Sequence, residues 1–157
     1  IGSNIINSLK AKYPVVAVDN NPEVVLALKN FGAQVVLGDE NNSELLEKIN
    51  LRHARMIVCA FPFNERTEML INKTKALNKD IVVFARARKH DETLALYEAG
   101  ADYVIMPEVI AGNEFVKNIF SYLEAGKTQD LGKLKSVYLD YLKQFEAEET
   151  KRKKFEF

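Results

Sequence analysis

The stretch "VVAVDNNPEVV", Val15 to Val25, decides how this chain folds. An apolar run, Val15–Val18, meets a single acid, Asp19, and then Asn20-Asn21-Pro22-Glu23. A short β-branched run of this kind reads as a fully buried strand. Proline suits the first turn of a helix, because the N–H it lacks would have no intrahelical acceptor there. The stretch is therefore a strand, a turn and a helix start, with Asp19 at the strand's carboxyl end. Asp19 either caps that helix or holds a ligand. An N-cap directly precedes the first helical residue, so Asn20 or Asn21 is better placed for capping, and Asp19 tilts toward ligand.

The same alternation recurs on both sides. Upstream, Ile5, Ile6 and Leu9 have helical spacing over residues 2–12, and Pro14 ends that helix. Downstream, Val24, Val25, Leu28 and Phe31 face inward until Gly32, and Gln34–Leu37 is a strand closed by Gly38-Asp39. Asn42 or Ser43 caps a short helix carrying Leu45, Leu46 and Ile49, and Met56–Ala60 is the next strand. Glu65–Leu77 is helical, with Met69, Leu70, Lys73 and Leu77 spaced along it. Ile81–Ala85 is a strand running into Arg86-Ala87-Arg88; Asp91–Ala99 is a helix stopped by Gly100; Tyr103–Met106 is a strand ending at Pro107. Five strands, each followed by a helix, predict an α/β fold: a Rossmann-like doubly wound parallel sheet with right-handed crossovers.

Beyond Pro107 the pattern changes to two helices, over 108–125 and about 131–150. Val109, Ile110, Phe115, Ile119, Phe120 and Leu123 stripe the first, which Gly126 ends; Leu134, Val137, Tyr138, Tyr141, Leu142 and Phe145 stripe the second. No strand follows, so these stripes are expected to bury against another subunit. The reading divides the chain into a nucleotide-binding domain over 1–112 and a helical extension over 113–157 that carries a dimer contact. Ile1-Gly2-Ser3-Asn4 opens a helix with no strand before it, so a first strand is expected upstream.

The 157 residues are 47% hydrophobic, enough for one buried core. Lys plus Arg and Asp plus Glu both number 22, so net charge points to no nucleic-acid partner and no anionic membrane surface. The single cysteine, Cys59, lies in an apolar run, which excludes a disulfide framework and a CxxC metal site and suits a reducing compartment. No run approaches the ~20 apolar residues of a membrane span.

Several residues fall where such a fold binds a nucleotide. Gly2 opens a helix and precedes Asp19 by 17 positions. A dinucleotide fingerprint places its acid about 20 residues on, so Gly2 corresponds to the last glycine of GxGxxG; it also reads as a glycine for close helix–strand packing. Asp19 can accept both ribose hydroxyls. Asp39 can accept from an adenine amino group or serve as a turn residue. Ala60-Phe61 either walls the nucleotide or lines a buried loop. Of Arg86 and Arg88, one faces the cleft and can clamp phosphate, or both are solvated. His53 and His90 lack metal-ligand spacing, Cys59 behaves as a small apolar residue, and neither GxSxG nor a Walker lysine occurs. The residues suggest a nucleotide site without a reaction.

Val18-Asp19, Gly38-Asp39 before a short helix, Ala54-Arg55-Met56-Ile57-Val58, Ala85-Arg86-Ala87, and Gly100-Ala101-Asp102-Tyr103-Val104-Ile105 with Pro107-Glu108 together resemble a known family. It is the TrkA-N type of RCK or KTN domain, which regulates potassium channels and transporters, and the likeness covers about residues 1–112. The C-terminal helices look most like the tail of a Kef-type cation/proton antiporter. The resemblance implies a domain at the cytoplasmic face of the membrane that binds NAD(H), AMP, ADP or ATP, forms a homodimer, and gates a membrane-embedded channel or transporter in the same or an associated chain. It assigns Asp19 to the ribose, Asp39 to the adenine end, Arg86 to phosphate, and Ala60 and Phe61 to the sides of the base or sugar. With Gly2, Asn20 and Gly38 these form the candidate cofactor-binding set; no catalytic or metal residue is implied. An acid at position 19 disfavours a 2′-phosphate, and hence NADP. The competing readings are a fragment of an NAD-dependent dehydrogenase and a ligand-free dimerisation platform.

Overall fold

The computed structural model describes residues 1–63, 65–124, 131–133, 135–140 and 142–143. The chain divides into one unit over Ile1–Val109 and a second that begins at Ile110. In the first, α1 (Gly2–Leu9), β1 (Val16–Asp19), α2 (Pro22–Asn30), β2 (Gln34–Leu37) and α3 (Ser43–Lys48) are followed by a 3-10 turn (Leu51–His53). Then come β3 (Met56–Cys59), α4 (Glu65–Leu77), β4 (Val82–Arg86), α5 (His90–Glu98) and β5 (Tyr103–Ile105). Helix α6 (Pro107–Glu124) leads out of this unit.

Local chemistry sets most of these boundaries. Asn21 caps α2, its side chain accepting from the Glu23 N–H, with Pro22 in the first turn. The helix closes at Gly32, whose φ of 71° is in the left-handed region, where glycine carries no Cβ penalty. Asn42 caps α3 by accepting from the Leu45 N–H. Helix α1 stops at Leu9, short of the expected residue 12, with Lys10–Pro14 forming a turn. Tyr13, which precedes proline, is disfavoured in helical geometry.

All strand pairs are parallel, but among the described residues they fall in two sheets, β1-β2 and β3-β4-β5. In the larger sheet side chains alternate: Cys59, Val83, Ala85 and Val104 are buried, while Met56, Val58, Val82 and Tyr103 are exposed. The buried face joins Leu46, Leu70, Ile71 and Leu96 in one core. A second, smaller cluster holds Val25, Leu28 and Val35 under β1-β2, with Ile6 of α1 packed against it.

One expectation is corrected. Strand β1 is not fully buried: Val16 is exposed and Ala17, Val18 and Asp19 are half-covered, because among the described residues β1 pairs with a strand on one edge only. Helix α4 turns Thr67, Leu70, Ile71 and Thr74 inward, a face half made of threonines that an apolar count passes over, and leaves Met69 and Leu77 exposed. In the second unit, residues 131–133, 135–140 and 142–143 are helical, while Leu134, Tyr141, Phe145, the stop at Gly126 and the residues beyond 143 lie outside the described residues.

Candidate nucleotide site at the carboxyl edge

In a parallel sheet every strand delivers its last residue to the same edge, where open α/β folds bind ligands. Asp19 is the last residue of β1, in register with Leu37 of β2. The Gly38 N–H donates to the Asp19 carbonyl at 3.0 Å, so Asp19, Gly38 and Asp39 form one cluster. Asp19 does not cap α2; that falls to Asn21 rather than Asn20, which is exposed. It does brace the turn, since its Oδ1 accepts from the Asn21 N–H at 2.9 Å. One carboxylate oxygen is thereby committed, while Oδ2 has no protein donor among the described residues.

Gly38 is fixed by packing. A Cβ there would stand 2.6 Å from Cδ2 of Leu45, itself buried on α3. Asp39 is doubly held: Oδ1 accepts from the Asn41 N–H at 2.8 Å, and Oδ2 pairs with Arg66 on α4 at 2.8 Å. Two further bonds tie this loop to α4. Asn41 Nδ2 donates to the Arg66 carbonyl at 3.2 Å, and Lys73 Nζ donates to the Asn41 carbonyl at 3.1 Å. The β2–α3 loop is thus fastened to α4 at three points.

Gly2 sits at the start of α1 beside Ala60, which follows β3; a Cβ added at Gly2 would meet the Ala60 Cβ at 3.7 Å, an ordinary contact. Against Ala60, a methyl at this position would be tolerated. Phe61 is half-buried and packs with Phe63 against the main core. Cys59 is a member of that core, and burial, with a smaller contribution from Glu40, pushes its thiol up to about 12. It is inert at neutral pH.

The two arginines after the fourth strand separate clearly. Arg88 is exposed, whereas the Arg86 side chain is only 19% exposed. Its guanidinium lies 3.8 Å from the exposed Glu108 carboxylate, and its buried Nε has no partner. Among the described residues no group of His, Cys, Asp and Glu could hold a metal ion, and no helix is long and apolar enough to cross a membrane. His53 and His90 are both exposed.

Sequence reasoning missed Arg66, Asn41 and Lys73 as parts of this edge. Only Asp39-x-Asn41 left a local trace, as a pair suited to an Asx turn.

Known proteins share the fold and large parts of the sequence. The chain is 28% identical over 116 residues to the Escherichia coli protein YbaL, covering 74% of this chain and 20% of YbaL. It is 29% identical over 100 residues to the glutathione-regulated potassium-efflux protein KefC of Salmonella paratyphi B, covering 64% of this chain and 16% of KefC. The chain thus spans about a fifth or less of these relatives. The crystal structure of the TrkA-N domain of YbaL superimposes with a TM-score of 0.70 at 27% identity, covering 74% of this chain and 87% of that one, and shares its Rossmann-like α/β fold. The GsuK channel bound to NAD shares the fold with a TM-score of 0.59 at 23% identity, over 68% of this chain and 19% of that one. The family model for the TrkA-N domain matches residues 1–107, and the chain belongs to that family.

Proposed function

We propose that this chain is a non-catalytic regulatory domain that binds an adenine nucleotide at the carboxyl edge of its sheet. As a homodimer at the cytoplasmic face of the membrane, it passes ligand state to a potassium channel or cation/proton antiporter in the same or an associated polypeptide. The observation that carries the reading is Arg86. A guanidinium four-fifths buried, with an orphan Nε–H and one loose partner, is costly to hold unless an anion arrives to accept from it. A nucleotide phosphate is such an anion, and Arg86 ends β4 on the edge that also carries Asp19 and Asp39.

In this reading Asp19 Oδ2 takes the ribose, Asp39 the adenine end and Arg86 the phosphates, with Ala60 and Phe61 beside the sugar or base. NAD(H), AMP, ADP and ATP all carry those parts. The structures of GsuK bound to NAD and bound to ADP favour this ligand class in a protein of the same fold.

One more parallel strand between β1 and β3 would complete the site: among the described residues both strands have an edge without a neighbour, and α1 reaches from Ala60 after β3 to the cluster under β1-β2. A strand in that gap, followed by α1 and then β1, makes a right-handed crossover and the strand order of a dinucleotide-binding fold. Residues 1–112 then form the nucleotide domain. The helical extension over 113–157 carries the dimer contact through the exposed Phe115, Ile119, Phe120 and Leu123 of α6. Signalling is a population shift: a nucleotide that binds one dimer arrangement more tightly favours it, by no more than that affinity difference.

The test measures melting temperature and light-scattering mass of the full polypeptide with AMP, ADP, ATP and NADH. A dimer whose melting temperature rises with at least one of them is expected. A monomer that responds to none refutes the proposal, and steady oxidation of a hydroxy acid by NAD would favour a dehydrogenase instead.

A further inference from the structure

We infer that Arg66 gates the base end of this site, holding Asp39 until a base bearing an exocyclic amino group displaces it; the inference rests on the nucleotide-binding reading above. Both oxygens of Asp39 are engaged. Oδ1 is bound into its own turn through the Asn41 N–H, so a ligand that took it would have to unmake the loop. Oδ2 is held only by the Arg66 guanidinium, which makes it the oxygen a ligand can claim.

The pair is built to open. Arg66 is 56% and Asp39 38% exposed, so water screens their attraction and can take over the guanidinium once it swings away. The backbone does not follow. Asn41 Nδ2 on the Arg66 carbonyl and Lys73 Nζ on the Asn41 carbonyl hold the loop against α4 whichever way the guanidinium points. Displacement is therefore a side-chain rotation, with no helix movement to offset.

The exchange also discriminates between bases. An adenine 6-amino group is a donor and can replace the N–H of Arg66 on Oδ2. A 6-oxo base such as hypoxanthine presents an acceptor at that exocyclic position, where it repels Oδ2, and its one donor on that edge, the ring N1–H, is displaced from the amino position, so Arg66 stays in place. Arg66 is thus a specificity-determining residue: the ligand must outcompete it, and that takes a donor at the exocyclic 6-position.

The experiment is calorimetric titration of the full polypeptide with AMP and with IMP, for wild type, Arg66→Gln and Arg66→Lys. Removing the competitor tightens AMP binding about two- to fivefold, the range an exposed ion pair commands. IMP binding does not tighten, and Arg66→Lys, which keeps the charge, stays near wild type. AMP affinity that falls in Arg66→Gln makes Arg66 a direct ligand contact and overturns the gate; unchanged affinity overturns it too. If none of the three proteins binds AMP, and ADP, ATP and NADH titrated in the same way also fail to bind, that is a different result, which refutes the nucleotide reading and the gate with it. Binding by Arg66→Gln alone supports both.

Discussion

Replacing Asp102 with alanine should cost this domain about 3 kcal/mol, although the side chain is nearly half exposed. Its Oδ2 accepts from Lys75 Nζ at 2.7 Å and from the Val83 N–H at 2.7 Å, while its own N–H donates to the Val83 carbonyl at 2.9 Å. Val83 is completely buried at the centre of the larger sheet, so in Asp102→Ala its N–H has no acceptor, a loss of about 1–3 kcal/mol. Lys75 keeps its bond to the Ile81 carbonyl, so its share is that of an exposed pair, at most about 1 kcal/mol. Asp102→Asn retains an oxygen for Val83 and gives up only the charge, so it should cost about 1 kcal/mol. Urea denaturation at pH 7 measures both. The hydrogen bond from Lys75, followed by that from Val83, holds the Asp102 carboxyl below its ordinary value of 3.8. A lowered folded pKa means that the carboxylate stabilises the fold fully above the ordinary aspartate range. That stability is lost as pH falls through 3.8 toward the lowered value, so the gap between wild type and Asp102→Asn should close in acid. A loss below about 1 kcal/mol for Asp102→Ala, or a gap between wild type and Asp102→Asn that does not narrow as the pH falls below 3.8, would refute the reasoning.

Other predictions follow from the same packing. Thr74→Val should raise stability by about 1 kcal/mol in thermal denaturation, because the Thr74 hydroxyl is fully buried with no hydrogen-bond partner and valine has the same shape. Gly38→Ala should cost about 1–2 kcal/mol, since the new methyl meets Leu45 at 2.6 Å, and the cost should shrink in a Leu45→Ala background, where that contact is gone. Cys59, with its thiol pushed up to about 12, should not react with an aromatic disulfide at pH 8 until the chain is unfolded in urea.

What could be read from the sequence follows the range of the interactions. Local chemistry was legible: Asn21-Pro22 starts α2, Gly32 ends it, and α4 runs over Glu65–Leu77 as its periodicity says. The run from Gly100 to Ile105 carried the resemblance, and its physics is now plain. Gly100 has a φ of 103°, which a side chain would strain, and Asp102 locks β4 to α4 through Lys75. Contacts made through space were not legible. Nothing near Arg66 signals that it reaches Asp39, and the buried Thr67 and Thr74 give no apolar signal. The half-covered state of β1 reflects which strand stands beside it, a property of topology that the local run Val15–Val18 does not encode. At the site, the type and edge position of Asp19, Asp39 and Arg86 were readable, but not that Asp39 is already paired or that Arg86 is short of an acceptor.

The central claim is that this edge binds a nucleotide through Asp19. Calorimetric titration of the full polypeptide with AMP, ADP, ATP and NADH, repeated with Asp19→Ala, tests it most directly. At least one of them should bind saturably, and losing a charge-assisted contact worth about 1.5–3 kcal/mol should leave the variant with an affinity roughly 10- to 100-fold weaker. Equal affinity in wild type and variant, or no binding by either, would contradict it.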